Sequence, residues 1–520
     1  MKIRKVLLIV SIITFQKLLS GEFIVPYETS TWSISETEID RYVLGRLKEK
    51  GIEPANPCSD EVFIRRIYLD VIGTLPEPEE VKQFLNDRHP EKRKILIDKL
   101  LESDTFADYW SLKWCDILRV KSEFPINLWP NAVQTYHRWI ISALRENMPY
   151  DRFVRELLTS SGSNFRVPPV NFYRAVQGRD PISIAGAVAL TFMGTRTENW
   201  DENKKKEMAM FFSRIAYKKT DEWKEEIVYL NPAPSEEITA VLPDAKRVKI
   251  PSDADPRIIF ADWLIRDDNP YFAKNIVNRI WYWLMGRGII HPPDDIRDDN
   301  PPSNPELLAY LEKELVKNNY DLKHIYRIIL NSRTYQQSFI PKSTHPDAEM
   351  LFAYYPVRRL DAEVLSDILC KIGGTGEEYI SRIPEPFTFI PKYQRNILLA
   401  DGSITGPFLE LFCRPSRDTG LESERNNNIT SAQQMYLLNS SGLYRKIQSS
   451  AILRRISILS KSNPEEAIRN GYLLLLSRYP TGEEIDKCKG YSQKEGISFK
   501  EAVEDITWAL INSKEFLYRH

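Results

Sequence analysis

A chain of 520 residues is too long for one ordinary core, and 42% hydrophobic with 28% charged content supplies enough apolar side chains for more than one folded body. That balance excludes wholesale disorder. A net charge of −1, with Lys and Arg spread along the chain, provides no global field for nucleic acid, so no nucleic-acid partner is expected.

The chain opens MKIRKVLLIVSIITFQKLLSGEF. Lys2, Arg4 and Lys5 precede an apolar run from Val6 to Phe15, and the small residues Ser20 and Gly21 follow. This pattern predicts a secretory signal peptide over 1–21 and a periplasmic or secreted protein. The run is shorter than the ~20 residues that span a bilayer, and no later stretch is apolar enough to be a second anchor. No transmembrane span is therefore expected after signal cleavage.

Beyond that the periodicity is helical. KRKILIDKLLES, VQTYHRWIISALREN and LLAYLEKELV place apolar residues at three- and four-residue steps. Pro90, Pro149, Pro181, Pro305 and Pro464 stand at expected first turns. The exception is roughly 225–250. There EEIVYLN and KRVKI are short and β-prone, with prolines between them, which predicts a small hairpin or extended linker. The expected fold class is mainly α, two helical bodies joined by a small β-containing linker segment. The boundaries are a helical domain over 34–215, a linker with short strands over 216–255, and a second helical domain over 256–520. Three helix corners read alike: LLESDTF, ILNSRTY and LINSKEF each set a Ser three residues before an aromatic. The Ser is expected to cap a turn while the aromatic packs backwards. Five cysteines, far apart and odd in number, exclude a disulfide framework, and none has C-x-x-C spacing for zinc, iron–sulfur or haem.

Three stretches concentrate polar chemistry. In the first, NIVNRIWYWLMGRG is apolar almost all round, so Asn278 and Arg279 face a buried environment and need partners. HPPDDIRDDNPPSN follows at 291–304 and delivers Asp294, Asp295, Arg297 and Asn300. The leading reading is a buried Arg–Asp network, with Asp294 or Asp295 reaching Arg279. A pocket for a polar ligand is the second, and a calcium-type oxygen site the third. The loop lacks the spacing of a calcium hand, so no metal ligands are assigned. Ser303 or Asn304 followed by Pro305 starts a helix. In the second stretch, RRLDAEVLSDIL, Arg359 and Glu363 form an i,i+4 surface pair, or Arg358, Asp361 and Glu363 line the same cleft as Asp294. The third, CRPSRDTGLESER, is a polar loop whose Arg414 and Arg417 suit sulfate, carboxylate or sugar hydroxyls, with a solvated loop as the bland reading. Of six histidines only His291, beside the aspartates, is an acid–base candidate. No G-x-S-x-G, phosphate loop or dinucleotide fingerprint is present.

Several long phrases resemble known families. FIRRIYLDVIGTLPEPEEVKQFLND (63–87), DTFADYWSLKWCDILR and NMPYDRFVRELL resemble domain-of-unknown-function 1549. DPRIIFADWL, the 268–308 stretch, YDLKHIYRIILNSRTYQ, RRLDAEVLSDIL and WALINSKEFLYRH resemble domain-of-unknown-function 1553. The resemblance implies an exported protein of planctomycete type, in a family associated with cytochrome-c-like domains. Such proteins carry C-x-x-C-H after a phrase like that at Phe192–Gly194. Here TFMGTRTENWDENKKKEMAMFF (191–212) lacks the two cysteines and the histidine, and RDTGLESER (417–425) lacks the paired cysteines expected before its Glu-Arg. No covalent haem is expected, and no other cofactor is predicted.

The functional expectation is a non-redox binding or scaffold component at the cell envelope, possessing a polar ligand or glycan, or another exported protein, as partner. The resemblance and the compartment place it with a polysaccharide-degrading system. The alternative is a hydrolase or lyase on a polar polymer, using Asp294 or Asp295 with Arg279 or Arg358. Geometry separates the two: an enzyme leaves one carboxylate open in a pocket, whereas a binding or structural protein closes these groups on each other.

Overall fold

A computed structural model describes residues 23–232, 238–384, 387–459 and 463–520. The signal-peptide stretch lies outside the described residues. Helices make up 53% of the described residues and strands 6%, which makes the fold mainly α.

Local chemistry accounts for most helix starts. Ser59, Asp180, Asp255, Asn304, Asp321 and Asn463 each accept a backbone N–H as an N-cap. Pro181, Pro305 and Pro464 occupy first turns as expected. Pro149 is instead the cap residue before Tyr150–Thr159, and Pro90 lies one residue before the cap of Lys92–Leu101. The recurring serine corners form. Ser332 and Ser513 accept the N–H of Tyr335 and Phe516, and both aromatics are buried. Ser103 differs: its side chain accepts no cap N–H, although all three hydroxyls donate back to the carbonyl three residues earlier and Phe106 packs inward as expected.

The β-prone stretches are strands, but they do not pair with one another. Glu226–Leu230 is the middle strand of an antiparallel sheet, between Ile215–Lys219 and the two-residue strand Gly162–Ser163. Ile238–Val241 and Arg247–Ile250 form a separate hairpin. A third, two-stranded sheet sets Arg358–Arg359 against Tyr518–Arg519 and so ties the chain's last residues to its middle.

The helical parts on either side of the strands also pack on each other. Glu38–Glu49 lies against Pro305–Lys317, Lys92–Leu101 against Leu322–Leu330, Tyr150–Thr159 against Pro256–Leu264, and Pro78–Asn86 against Pro464–Leu476. One continuous apolar cluster runs through both parts. At its centre Trp110 and Trp114 of Asp104–Ile117 meet Trp283 of Phe272–Met285, with ring centroids 5.4 and 6.1 Å apart.

Polar contacts repeat this stitching. Asp60–Val71 is buried from Val62 onward, so Arg65, Arg66 and Asp70 cannot reach water. Arg65 donates to the carbonyls of Leu475 and Phe516, and Arg66 to those of His520 and Gln337. Asp70 accepts the hydroxyls of Tyr335 and Tyr355 and pairs with Arg519 at 3.2 Å.

Candidate functional site

The helix Phe272–Met285 carries the first candidates, and both are fully buried, as its sequence requires. Asn278 makes a two-way bond with Ile290: its Nδ2 donates to the carbonyl and its Oδ1 accepts the N–H, each at 2.9 Å. That exchange pins the loop as it leaves the helix. Gly286 ends the helix at φ +73°, and a Cβ there would stand 2.4 Å from Arg358 Cδ. The close approach lets Arg358 donate to the last carbonyls, those of Trp283 and Leu284.

Arg279 does find a carboxylate, but not the expected one. It faces Glu422 at 3.5 Å and donates to Asn275 Oδ1 and to the Leu190 carbonyl. The reason is the Ala189–Met193 turn. It is π-helical, and the carbonyls of Leu190 and Thr191 turn to Arg279 and Asn275. Glu422 also accepts the indole N–H of Trp283. Burial pushes the Glu422 carboxyl above its ordinary range, against the pull of Arg279.

Asp294 is 1% exposed and belongs to the same network by another route. It accepts Arg196 at 2.7 Å and the backbone N–H of Glu422. Asp295 is separate: it faces Arg297 at 3.4 Å, and its carbonyl accepts the Asn300 amide. Arg297 is half-exposed and shared with Asp299. Asn304 caps the next helix, so HPPDDIRDDNPPSN is in part a helix start, as expected. Burial lowers the His291 imidazole below its ordinary range, with Arg287 adding to the effect.

The second and third stretches are corrected more sharply. Arg359 and Glu363 are both buried and do not pair. Arg359 donates to the carbonyls of Leu360, Phe412 and Asn426. Glu363 is held by Arg425 at 2.8 Å and Arg414 at 3.3 Å. The 413–425 loop is not a solvated loop. Arg414 and Arg417 are buried, and Arg417 pairs with Asp116 at 2.9 Å. Nor do Arg358, Asp361 and Glu363 line one open cleft with Asp294. Asp361 is fully buried and receives Arg519, Lys113, Arg425, Asn427 and Tyr109.

Electrostatics follow from this crowding. Burial alone would raise Asp361, but Lys113, Arg519 and Arg425 outweigh it and hold the carboxyl well below the ordinary range. Glu363 follows the same logic, with Arg425 and then Arg414 bringing it down to about 2. Burial pushes Lys113 down to about 8, against the pull of Asp361.

Two family models match the chain. One, described as a protein of unknown function (DUF1549), covers residues 38–224, and the other, a protein of unknown function (DUF1553), covers 256–492. The chain carries these two domains in this order. No curated protein and no solved structure matches it. Asp116 and Lys113 come from the DUF1549 domain, Asp361, Glu363 and Arg425 from the DUF1553 domain, and Arg519 from beyond it. The ion network therefore spans the two domains. Arg196 pairs with Asp294 outside that network. Among the described residues no group of three or more His, Cys, Asp or Glu side chains is placed to hold a metal ion.

Two apolar pockets lie elsewhere, one lined by Trp110, Trp114 and Tyr326, the other by Leu453, Ile468 and Ala502. Each admits about 20 Å³, room for a water and far below the ~300 Å³ of a ligand site.

Sequence reasoning missed Asp70, Lys113, Asp116, Glu422 and Arg519. The signal for two of them was available. Asp70 and Lys113 sit among apolar neighbours in FIRRIYLDV and WSLKWC, as Arg279 does in its helix. Asp116, Glu422 and Arg519 carry no such local mark.

Two outcomes follow. Asp294→Ala leaves Arg196 and the Glu422 N–H without their acceptor and should cost roughly 3 kcal/mol, whereas Asp295→Ala should cost under about 1 kcal/mol. Denaturant unfolding of both variants checks this, and equal losses would contradict it. The second outcome concerns acid. With its folded pKa below the ordinary 4.5, Glu363 contributes stability that is complete above about pH 4.5 and lost as pH falls through about 2. Glu363→Gln should therefore flatten the acid limb of the melting-temperature profile in that window. An unchanged slope would show that this carboxylate is not held as described.

Proposed function

We propose that this chain is an exported, non-redox binding or scaffold component of the cell envelope, with a polar glycan as its first candidate ligand. One observation carries the reading: of the groups that a polymer-cleaving site would use, Asp294, Arg279 and Arg358 are each committed to internal partners, and Asp295 alone lies nearer the surface, against Arg297. Asp294 is committed to Arg196 and Glu422, Arg279 to Glu422, and Arg358 to helix carbonyls and Tyr355. A carboxylate that serves as general acid or base needs access to substrate, and these have little. The absence of C-x-x-C-H from the sequence supports the non-redox part, and the basic-then-apolar N-terminus supports export. Among the described residues no helix is long and apolar enough to cross a membrane.

The test uses mature protein recovered from the host's exported fraction, expected to begin after about residue 20. It is incubated with neutral, carboxylated and sulfated glycans while binding and chain scission are followed together. Retention on at least one glycan with no new chain ends is the expected result. New ends that vanish in Asp294→Asn would establish the rival hydrolase or lyase, and an intact Met1 terminus on cytosolic protein would overturn export.

A further inference from the structure

Three separate segments bring aromatic rings to one surface. Trp129 precedes the helix Pro130–Arg145, Trp223 lies in the turn before Glu226–Leu230, and Phe387 comes from the DUF1553 domain. The Trp129 ring stands 6.3 Å from Trp223 and 5.5 Å from Phe387, centroid to centroid, both edge-to-face. Trp223 is 64% exposed, and Phe124 and Phe389, on the same segments as Trp129 and Phe387, are more exposed still. Apolar surface that converges in this way marks an interaction site more often than a scattered Leu does.

The rings are held in place. Trp129 sits at φ +74°, a region that a bulky residue enters only when its surroundings enforce it. Its backbone N–H donates to the Ser122 carbonyl, while the Ser122 backbone N–H is fixed by Asp401. The Trp223–Lys224 turn is fixed by the buried Asn164, which donates to the Lys224 carbonyl and accepts the Glu226 N–H.

The patch carries a cation. The Lys224 ammonium lies 5.2 Å from the Trp129 ring centroid and 5.3 Å from that of Trp223. Among the described residues it pairs with no carboxylate, because Glu222 and Glu225 are turned to Arg166. Its positive charge is therefore available to an incoming anion.

We propose that Trp223, Trp129, Phe387 and Lys224 form a platform for an acidic polysaccharide. A pyranose ring offers an apolar C–H face that stacks on an indole, and its hydroxyl rim stays in water. An amphipathic ring such as Trp suits that half-wet contact. The Lys224 ammonium selects for a carboxylate or sulfate ester on the sugar. A neutral glycan gains the stacking alone, and a second copy of this chain would have to bring its own unpaired acid to the same place. This inference rests on the reading of the protein as a glycan-binding component.

The experiment takes the full mature chain and measures its retardation in gels containing polygalacturonate, a sulfated galactan or a neutral glucan. Wild type is expected to be retarded by an acidic polymer, less so as salt rises toward ~0.15 M. The polygalacturonate and sulfated-galactan arms decide between carboxylate and sulfate. Trp223→Ala should weaken retention by about tenfold, equivalent to 1.4 kcal/mol. Lys224→Gln should weaken it on the acidic polymer and leave any neutral retention unchanged. Both side chains are removed from the surface, so melting temperature should hold and serves as the folding control. Retention unaffected by either variant places binding elsewhere and overturns the platform. Binding confined to the neutral glucan, or self-association that Trp223→Ala abolishes, overturns the acidic-glycan occupant. Chain scission by wild type defeats the non-catalytic reading instead, and leaves the platform standing if the variants still lose retention.

Discussion

Asp361 is the charge around which the two domains are arranged. A carboxylate with no water contact costs several kcal/mol unless cations and donors surround it. Here Lys113 and Tyr109 reach it from the DUF1549 domain, Asn427 and Arg425 from the DUF1553 domain, and Arg519 from the last strand. No single segment could satisfy it. Arg425 continues the chain of pairs to Glu363 and Asp116, and Arg519 continues it to Asp70. A half-satisfied network of this kind is worse than an apolar core. The network is therefore favourable only when both domains and the closing strand are in register.

How far this was legible depends on sequence distance. The helices, their caps and the serine corners are local, and NPEEAIRNG or PSNPELL states them within a few residues. The burial of Arg279 was also legible, because a guanidinium on a helix with apolar neighbours all round has nowhere else to go. Its partner was not. Asp294 is near in sequence, yet Glu422, 143 residues on, takes the position, since the π-helical turn at Ala189–Met193 brings its own carbonyls to the same guanidinium. The β-prone runs fail in the same way. EEIVYLN and KRVKI were correctly read as extended, but their partners come from residues 215–219 and 238–241 rather than from each other. The 413–425 loop misled most. Its density of charge reads as solvation, whereas its arginines are buried against backbone carbonyls and Asp116.

The stretch after Gly194 ties the two domains together locally. It places Arg196 against Asp294, and the Gly194 carbonyl accepts the Ile296 N–H. A Cβ at Gly194 would stand 2.5 Å from Asn275 Oδ1, so the loop is seated closely on the helix that carries Arg279. The loop thereby joins the domains through packing and charge.

The central claim is that the two domains fold as one unit because their buried charges are shared. Calorimetric unfolding of the intact chain at neutral pH tests it most directly. The account predicts a single transition whose calorimetric and van't Hoff enthalpies agree. Two resolved transitions, one for each domain, would contradict it.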